Sequence, residues 1–212
     1  DSHALHIACR CLQFDRWRYA MSEAPLRIGV IGAGMIAVIH ADAIRRCPMA
    51  MLVGIMDRGT GKGVQIAPEC APRHADNLEA FIARSDIDAV MVASPSGSHL
   101  EAGLCAAAHG KHCLVEKPME ITPARVDTLI EAHRRAGTML GGIFNTRYTE
   151  GARLLKQACE AGRFGHLTHA SAVGPWWREQ SYYDESNWKG TWVHDGGGAL
   201  MNQGIHSIDL LQ

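Results

Sequence analysis

Three groups of residues in this 212-residue chain carry side chains suited to chemistry. The first is Glu116-Lys117-Pro118, which closes the apolar run HCLVE (112–116) and sets a lysine at the end of a strand. The second is the turn GAGMIA (32–37), directly after the apolar run LRIGVI (26–31). The third is Asn202 and His206, four positions apart behind the triple glycine 196–198. On a helix beginning near residue 199, that spacing puts amide and imidazole on one face, where both can converge on one substrate. Gly204 between them costs a helix about 1 kcal/mol relative to alanine, which predicts a close backbone approach. A dinucleotide fold presents its ligand at the C-terminal ends of its strands, so a lysine at position 117 can reach both cofactor and substrate.

The glycine turn has a mechanical reading. Gly32 permits the tight turn, and Gly34 lets a pyrophosphate approach the backbone. Ala37 is small enough for the helix to pack on the sheet, while the helix start at Met35 and Ile36 faces the phosphates. GxGxxA alone is a weak signal, but here it lies between a strand and a helix. Asp57 also follows the second strand at about the twenty-residue interval at which a carboxylate binds a ribose 2′-hydroxyl. Asp57 favours NAD. Arg58 beside it admits NADP, because a guanidinium can pair with a 2′-phosphate, and it is equally compatible with a solvated loop charge.

The elements that must position these groups follow from apolar runs and punctuation. Strands are predicted at 26–31, 51–56, 88–93, 112–116 and 138–144, and a helix runs from Met35 to Arg46 before Pro48. Ser98 and Glu101 have the spacing of a capping box for a helix that Gly110 closes. Thr122 and Pro123 open another helix, and Gly137 ends it. This alternation predicts an α/β fold, a Rossmann doubly wound parallel sheet. After Phe144 the pattern changes to an amphipathic helix reaching about Glu160, a strand near 167–173 and an irregular, tryptophan-rich tract. The organisation reads as a leader or extension (1–24), a dinucleotide-binding domain (25–144) and an incomplete second α/β domain (145–212) for substrate and oligomerisation. The first twenty residues lack a clear period, and Met21-Ser22-Glu23 has the look of an ordinary start.

Composition narrows the function classes. Hydrophobic residues make up 47% of the chain, enough for a sizeable core. The balance of 21 basic against 22 acidic side chains gives no broad attraction to nucleic acid or an anionic membrane surface. No apolar run reaches the roughly 18–20 residues needed to cross a bilayer. The seven cysteines (Cys9, Cys11, Cys47, Cys70, Cys105, Cys113, Cys159) are scattered and lack CxxC pairing, which argues against a zinc site and fits a reducing cytoplasm.

With VIGAGMIA, ASPSGSH, VEKP and GGGALMNQGIHSIDLL in place, the chain resembles the glucose-fructose oxidoreductase, inositol dehydrogenase and rhizopine-catabolism (MocA) family from about Leu26 to Gln212. The resemblance implies a Rossmann domain followed by an α/β domain whose open sheet covers the substrate and often forms an oligomer interface, making a homo-oligomer the expected full-length form. It also implies hydride transfer between a hydroxylated carbon and nicotinamide. On this reading Ser94, Pro95, Ser96 and His99 pass along the nicotinamide side of the cofactor. Ser96 is equally compatible with a helix cap, and His99 with local packing. Glu116 accepts hydrogen bonds from the nicotinamide ribose or pairs with a nearby cation. Lys117 stabilises developing oxyanion character or joins a proton relay, and Pro118 fixes its backbone. His206 is the candidate base and Asn202 orients the substrate. Many sugar-oxidising members carry aspartate where this chain has Asn202, and an amide cannot supply that charge to a histidine.

Second-rank candidates for substrate contact are Arg147, just past the last sheet strand, and Trp176 and Trp177. With Tyr182, Tyr183 and Trp188, these tryptophans suggest an apolar wall for a sugar ring, with Arg178 and Lys189 on hydroxyls or an acidic substituent. Packed-loop, oligomer-contact and surface ion-pair roles fit these residues equally. The leading expectation is an NAD(P)-dependent oxidoreductase acting on a secondary hydroxyl of a sugar, sugar acid, nucleotide sugar or cyclitol. The alternatives are a noncatalytic dinucleotide-binding or interaction protein and an NAD-dependent glycoside hydrolase. The second domain reads as short for the full open sheet, which makes poor turnover an expectation for this chain.

Overall fold

A computed structural model describes residues 24–185 and 188–212; the expected leader falls, apart from Ala24, outside the described residues. The chain runs β1 (Leu26–Ile31), α1 (Met35–Arg46), β2 (Ala50–Met56), α2 (Lys62–Ile66), α3 (Leu78–Ile82), β3 (Ala89–Val92), α4 (His99–Ala108), β4 (His112–Glu116), α5 (Pro123–Ala136) and β5 (Leu140–Ile143). It continues through α6 (Glu150–Glu160), α7 (Gln180–Asp184), α8 (Gly198–Asn202) and α9 (Ile205–Leu211). The five strands pair in parallel in the order β2-β1-β3-β4-β5. The order reverses between β1 and β3, and at that crevice a doubly wound sheet binds its ligand.

The strands are apolar on both faces because helices cover both faces. Val90 and Val92 of β3 join Phe81, Ile82, Ala102, Ala106 and Leu129 on one side. Ala89 and Met91, one residue out of phase, join Val30, Ala37, Ala41, Ile44 and Ile55 on the other. Pairing of β1 with β2 shifts between Ile28 and Gly29. Helix α1 buries Ala37, His40, Ala41 and Ile44, a stripe of helical period, and its last turn carries Arg45 and Arg46. Thr122 caps α5 through the Arg125 amide, Pro123 fills the first helical position and Gly137 closes the helix, as the sequence predicts.

Two expectations fail in instructive ways. Ser98 stands at the N-cap of α4 but makes no side-chain cap bond, so the Ser98/Glu101 capping box does not form. Glu120, reaching in from the loop after β4, accepts from the Leu100 amide at 2.9 Å and does the capping instead. The strand expected near 167–173 is irregular backbone. A strand needs a hydrogen-bonded neighbour, and among the described residues none pairs with this segment. Residues 145–212 therefore contribute only helices and loops to the described structure. No helix among the described residues is long and apolar enough to cross a membrane.

Candidate active site

At the switch point the chain must turn sharply between β1 and α1. Gly32 has φ +103°, and a Cβ there would stand 2.7 Å from the Ala93 carbonyl oxygen at the exit of β3. Only glycine meets both constraints. A Cβ at Gly34 would meet nothing within 4 Å, so the turn has open space above it. Gly34 is the N-cap of α1 and offers no side-chain cap, and the first turn holds no acidic residue. The Ala37 amide donates to the Gly34 carbonyl at 3.1 Å, which leaves the amides of Met35 and Ile36 at the start of this twelve-residue helix for an anion. Beside the turn, the Ser94 hydroxyl oxygen is buried without a hydrogen-bond partner. An open cradle, an uncapped helix start and an orphaned hydroxyl suit a dinucleotide laid across the turn.

Asp57 follows β2. Its carboxylate accepts from the amides of Gly59 at 3.0 Å and Gly63 at 2.8 Å. Burial pushes this carboxyl up, but the Gly63, Gly59 and Thr60 bonds outweigh it and hold the group below its ordinary range. Arg58 is exposed and adopts a left-handed conformation, φ 56°.

Of the two roles open to His99, the structure shows local packing. It is buried, with Nδ1 2.9 Å from the Pro118 carbonyl and Nε2 2.9 Å from the Ser94 carbonyl. The ring lies between the two carbonyls, and its N–H ties the loop after β3 to the loop after β4. Ser96 is buried at the start of the short 3-10 turn Ser96–Ser98 after Pro95. Gly97 in that turn donates its N–H to the His194 carbonyl at 2.9 Å. Its own carbonyl accepts from Arg125 Nη2 at 3.0 Å.

Glu116 at the end of β4 is buried and held at both oxygens. Oε1 lies 2.9 Å from His40 Nε2 of α1, and Oε2 accepts from the Lys117 amide at 2.9 Å. The partner at Oε1 is thus a histidine 76 positions away, which no local motif announces. The Lys117–Pro118 peptide is cis. The Lys117 ammonium donates to the Asn202 carbonyl at 2.8 Å and to its side-chain oxygen at 3.3 Å. Burial lowers the Lys117 pKa, with Glu116 and Asp195 partly opposing it.

The structure brings Asn202 and His206 to Lys117, though not on one continuous helix. Helix α8 ends at Asn202 and α9 starts at Ile205, with Gln203 and Gly204 between them. A Cβ at Gly204 would lie 2.8 Å from the Leu200 carbonyl oxygen, the close approach that its presence predicts. His206 packs edge-on to Phe144, ring centroids 6.5 Å apart, and its Nδ1 is buried without a partner. Burial lowers the His206 pKa and the charge of Lys117 lowers it further, against weaker opposite pulls from Glu116 and Asp209.

Of the two roles open to Arg147, the structure shows the ion pair. Its guanidinium forms a two-bond ion pair with Asp209 of α9, one bond at 2.7 Å from Nε to Oδ2, and lies over the Phe144 ring at 5.3 Å. It thereby anchors the helix that carries His206. Trp176 and Trp177 are 61% and 81% exposed, and Trp176 lines a cleft with Arg178, Tyr183 and Leu200. Tyr182 contacts Tyr183 edge-on and receives Lys189 over its ring at 3.8 Å. The apolar cleft of about 640 Å³ between the start of α5 and helices α8 and α9 lies beside this site; Lys117, Asn202 and His206 do not line it.

The sequence reading missed His40 and Asp195. Asp195 is 1% exposed and accepts from Asn202 Nδ2 at 3.2 Å. The only available signal was its place directly before the triple glycine. No group of three or more potential metal ligands occurs among the described residues.

Comparison with known proteins places this geometry. Residues 26–143 match the profile described as "Oxidoreductase family, NAD-binding Rossmann fold", and residues 152–212 match the "GFO/IDH/MocA C-terminal domain". The chain is 29% identical over 188 residues to the myo-inositol 2-dehydrogenase of Thermotoga maritima, covering 87% of this chain and 53% of that protein. It is 30% identical to the glucose-6-phosphate 3-dehydrogenase of Bacillus subtilis, covering 87% and 52%. The WlbA dehydrogenase from Bordetella pertussis, solved in complex with NADH and UDP-GlcNAcA, superposes with a TM-score of 0.80 at 32% identity, covering 88% of this chain and 57% of that one. The chain spans about half the length of the curated relatives it matches. With more than half of its residues under the Rossmann profile and its glycine turn built for a dinucleotide, the chain belongs to the GFO/IDH/MocA oxidoreductase family.

Proposed function

We propose that this site serves an NAD-dependent oxidoreductase acting on a secondary hydroxyl of a sugar, sugar acid, nucleotide sugar or cyclitol. The observation that carries the reading is the meeting of a half-buried lysine, an asparagine and a histidine with an unpaired buried nitrogen at the strand ends beside the glycine turn. Gly32, Gly34, Met35, Ile36 and Ala37 hold the pyrophosphate. Asp57 takes the ribose hydroxyl and favours NAD over NADP, with Arg58 at the rim. Ser94, Pro95 and Ser96 line the nicotinamide side, and Glu116, fixed by His40, serves the adjacent ribose. NAD, when bound, supplies the acceptor for the hydride that leaves the hydroxylated carbon.

The protein's own groups manage the charge that remains. An ammonium has three N–H donors, and Asn202 takes two of those on Lys117. The third is free for the substrate oxygen, where it stabilises developing negative charge. His206, neutral at neutral pH because its pKa is lowered, takes the hydroxyl proton. Asn202 holds Lys117 and orients the substrate. The range of relatives, from a cyclitol and a sugar-phosphate dehydrogenase to a protein solved with UDP-GlcNAcA, supports the substrate class. A cytoplasmic homo-oligomer belongs to the same reading, supported by exposed Val173, Trp177 and Trp192. Sedimentation velocity tests the assembly.

The deciding experiment is an NAD and NADP titration followed by a polyol, sugar and nucleotide-sugar panel on this chain and on Lys117→Ala and His206→Ala. Turnover lost in both variants with cofactor binding retained is the expected result. Full activity in either variant, or stoichiometric NAD binding without turnover across the panel, overturns it.

A further inference from the structure

Among the described residues from 145 onward, Asp195 is the only one that is buried, and it is a carboxylate. A carboxylate taken out of water is costly unless it is paired or well hydrogen-bonded. Asp195 makes no ion pair among the described residues. Its side chain accepts two neutral donors, the Gly190 amide at 2.8 Å and Asn202 Nδ2 at 3.2 Å. On the other side of the same amide group stands the Lys117 ammonium, 3.3 Å from Asn202 Oδ1. A carboxylate accepts only and an ammonium donates only, so both neighbours demand the same orientation of the Asn202 amide, NH2 toward Asp195 and oxygen toward Lys117.

We propose that Asp195 is the positioning carboxylate of the site, locking the Asn202 amide against Lys117 and supplying, through that amide, the negative charge that keeps the ammonium in place. The identity of residue 202 follows. A carboxylate at 202 would set a second negative oxygen against Asp195 at a separation where like charges do not both ionise. An amide is the side chain of that shape that satisfies both neighbours. The charged or titratable groups facing Lys117 are Glu116 on β4, Asp195 in the loop before α8 and His206 on α9. Of the two acids, Glu116 is held by His40 and the Lys117 amide, whereas Asp195 reaches the ammonium through Asn202. The inference rests on the reading of Lys117 and Asn202 as site residues, but its test needs neither cofactor nor turnover.

The full 212-residue chain, labelled with ¹³C at lysine Cε, reports the Lys117 titration by NMR, with the resonance assigned by its loss in Lys117→Arg. In Asp195→Asn the Lys117 midpoint is expected to fall by about one pH unit. In Asp195→Asn/Asn202→Asp, which moves the charge next to the ammonium, it is expected to return at least to the original value. A purely structural role predicts lower thermal stability with an unmoved Lys117 midpoint and no rescue; either an unmoved midpoint or absent rescue overturns the proposal. If Asp195→Asn does not fold, Asn202→Asp alone decides. A carboxyl titrating at least about one unit above the ordinary range, as expected for two acids sharing a proton, supports the proposal, and two ordinary carboxyl midpoints overturn it. A chain with the shifted lysine but no turnover counts against the enzymatic reading alone. Turnover with an unmoved lysine counts against Asp195 alone.

Discussion

From Leu26 to Ile143 the chain closes a core on both faces of a sheet, with Val30, Ile55, Phe81, Val90 and Leu129 fully enclosed. From residue 145 onward the described residues bury a single side chain, Asp195, and leave Leu154, Leu155, Trp177, Trp192 and Leu200 exposed. The first region is held by packing and the second is positioned by polar links. Lys117 reaches Asn202, Gly97 reaches His194, and Arg147 reaches Asp209. The glycine turn is thus part of the packed region, whereas Asn202 and the helix carrying His206 sit where a few hydrogen bonds place them.

That contrast can be broken or sharpened in order of size. Replacing Lys117 by alanine removes both a charge from the reacting centre and a tie to Asn202; turnover is expected to drop about a thousandfold, with NADH affinity in a fluorescence titration within a few-fold of the parent. Leu129→Ala opens a cavity in the sheet core and is expected to cost about 2–5 kcal/mol in urea unfolding, while Leu154→Ala on exposed α6 stays within about 0.5 kcal/mol. Equal losses would mean that the two regions are not held differently. Gly97→Val tests the link between them. Its Cβ would lie 2.5 Å from the Val193 carbonyl oxygen, so the 193–197 loop must move. Activity should fall by about ten- to a hundredfold through displaced Asn202 and His206, with the sheet's thermal transition nearly unchanged. The smallest effect is in pH. Because burial and Lys117 hold the His206 pKa below its ordinary 6.5, the ring is neutral at pH 7 and charges only as the pH falls through that lowered value. Oxidation should hold steady down to about pH 6.5 and then decline, at most about tenfold per pH unit, and that limb should be absent from the residual turnover of His206→Asn. A limb centred above pH 7 would assign it to another group.

The sheet was legible because its signals are local. Short apolar runs bounded by glycine and proline located all five strands, and Thr122, Pro123 and Gly137 marked α5 to the residue. Lys117, Asn202 and His206 were legible as types at telling positions. Partners distant in sequence were not. Glu120 replaces the Ser98/Glu101 capping box from 20 residues away, and His40 meets Glu116 across 76. Asp195 was not legible, because burial leaves no trace in a polar residue type. The strand expected at 167–173 did not form because β pairing requires a neighbour, and propensity states only that a segment accepts one. The single helix drawn through Asn202 and His206 split at Gly204, the residue whose cost had flagged the spot.

The bond from Lys117 to Asn202 joins positions 85 apart, whereas β4 and β5 pair locally, Cys113 with Leu140. Closing a long loop costs chain entropy before any contact compensates it, so contacts of this span form late. The contact of lysine and amide is therefore expected to form after the β4–β5 pair. A spectroscopic probe at Asn202 should then lag the recovery of helix and strand signal on refolding, and simultaneous recovery would overturn that order.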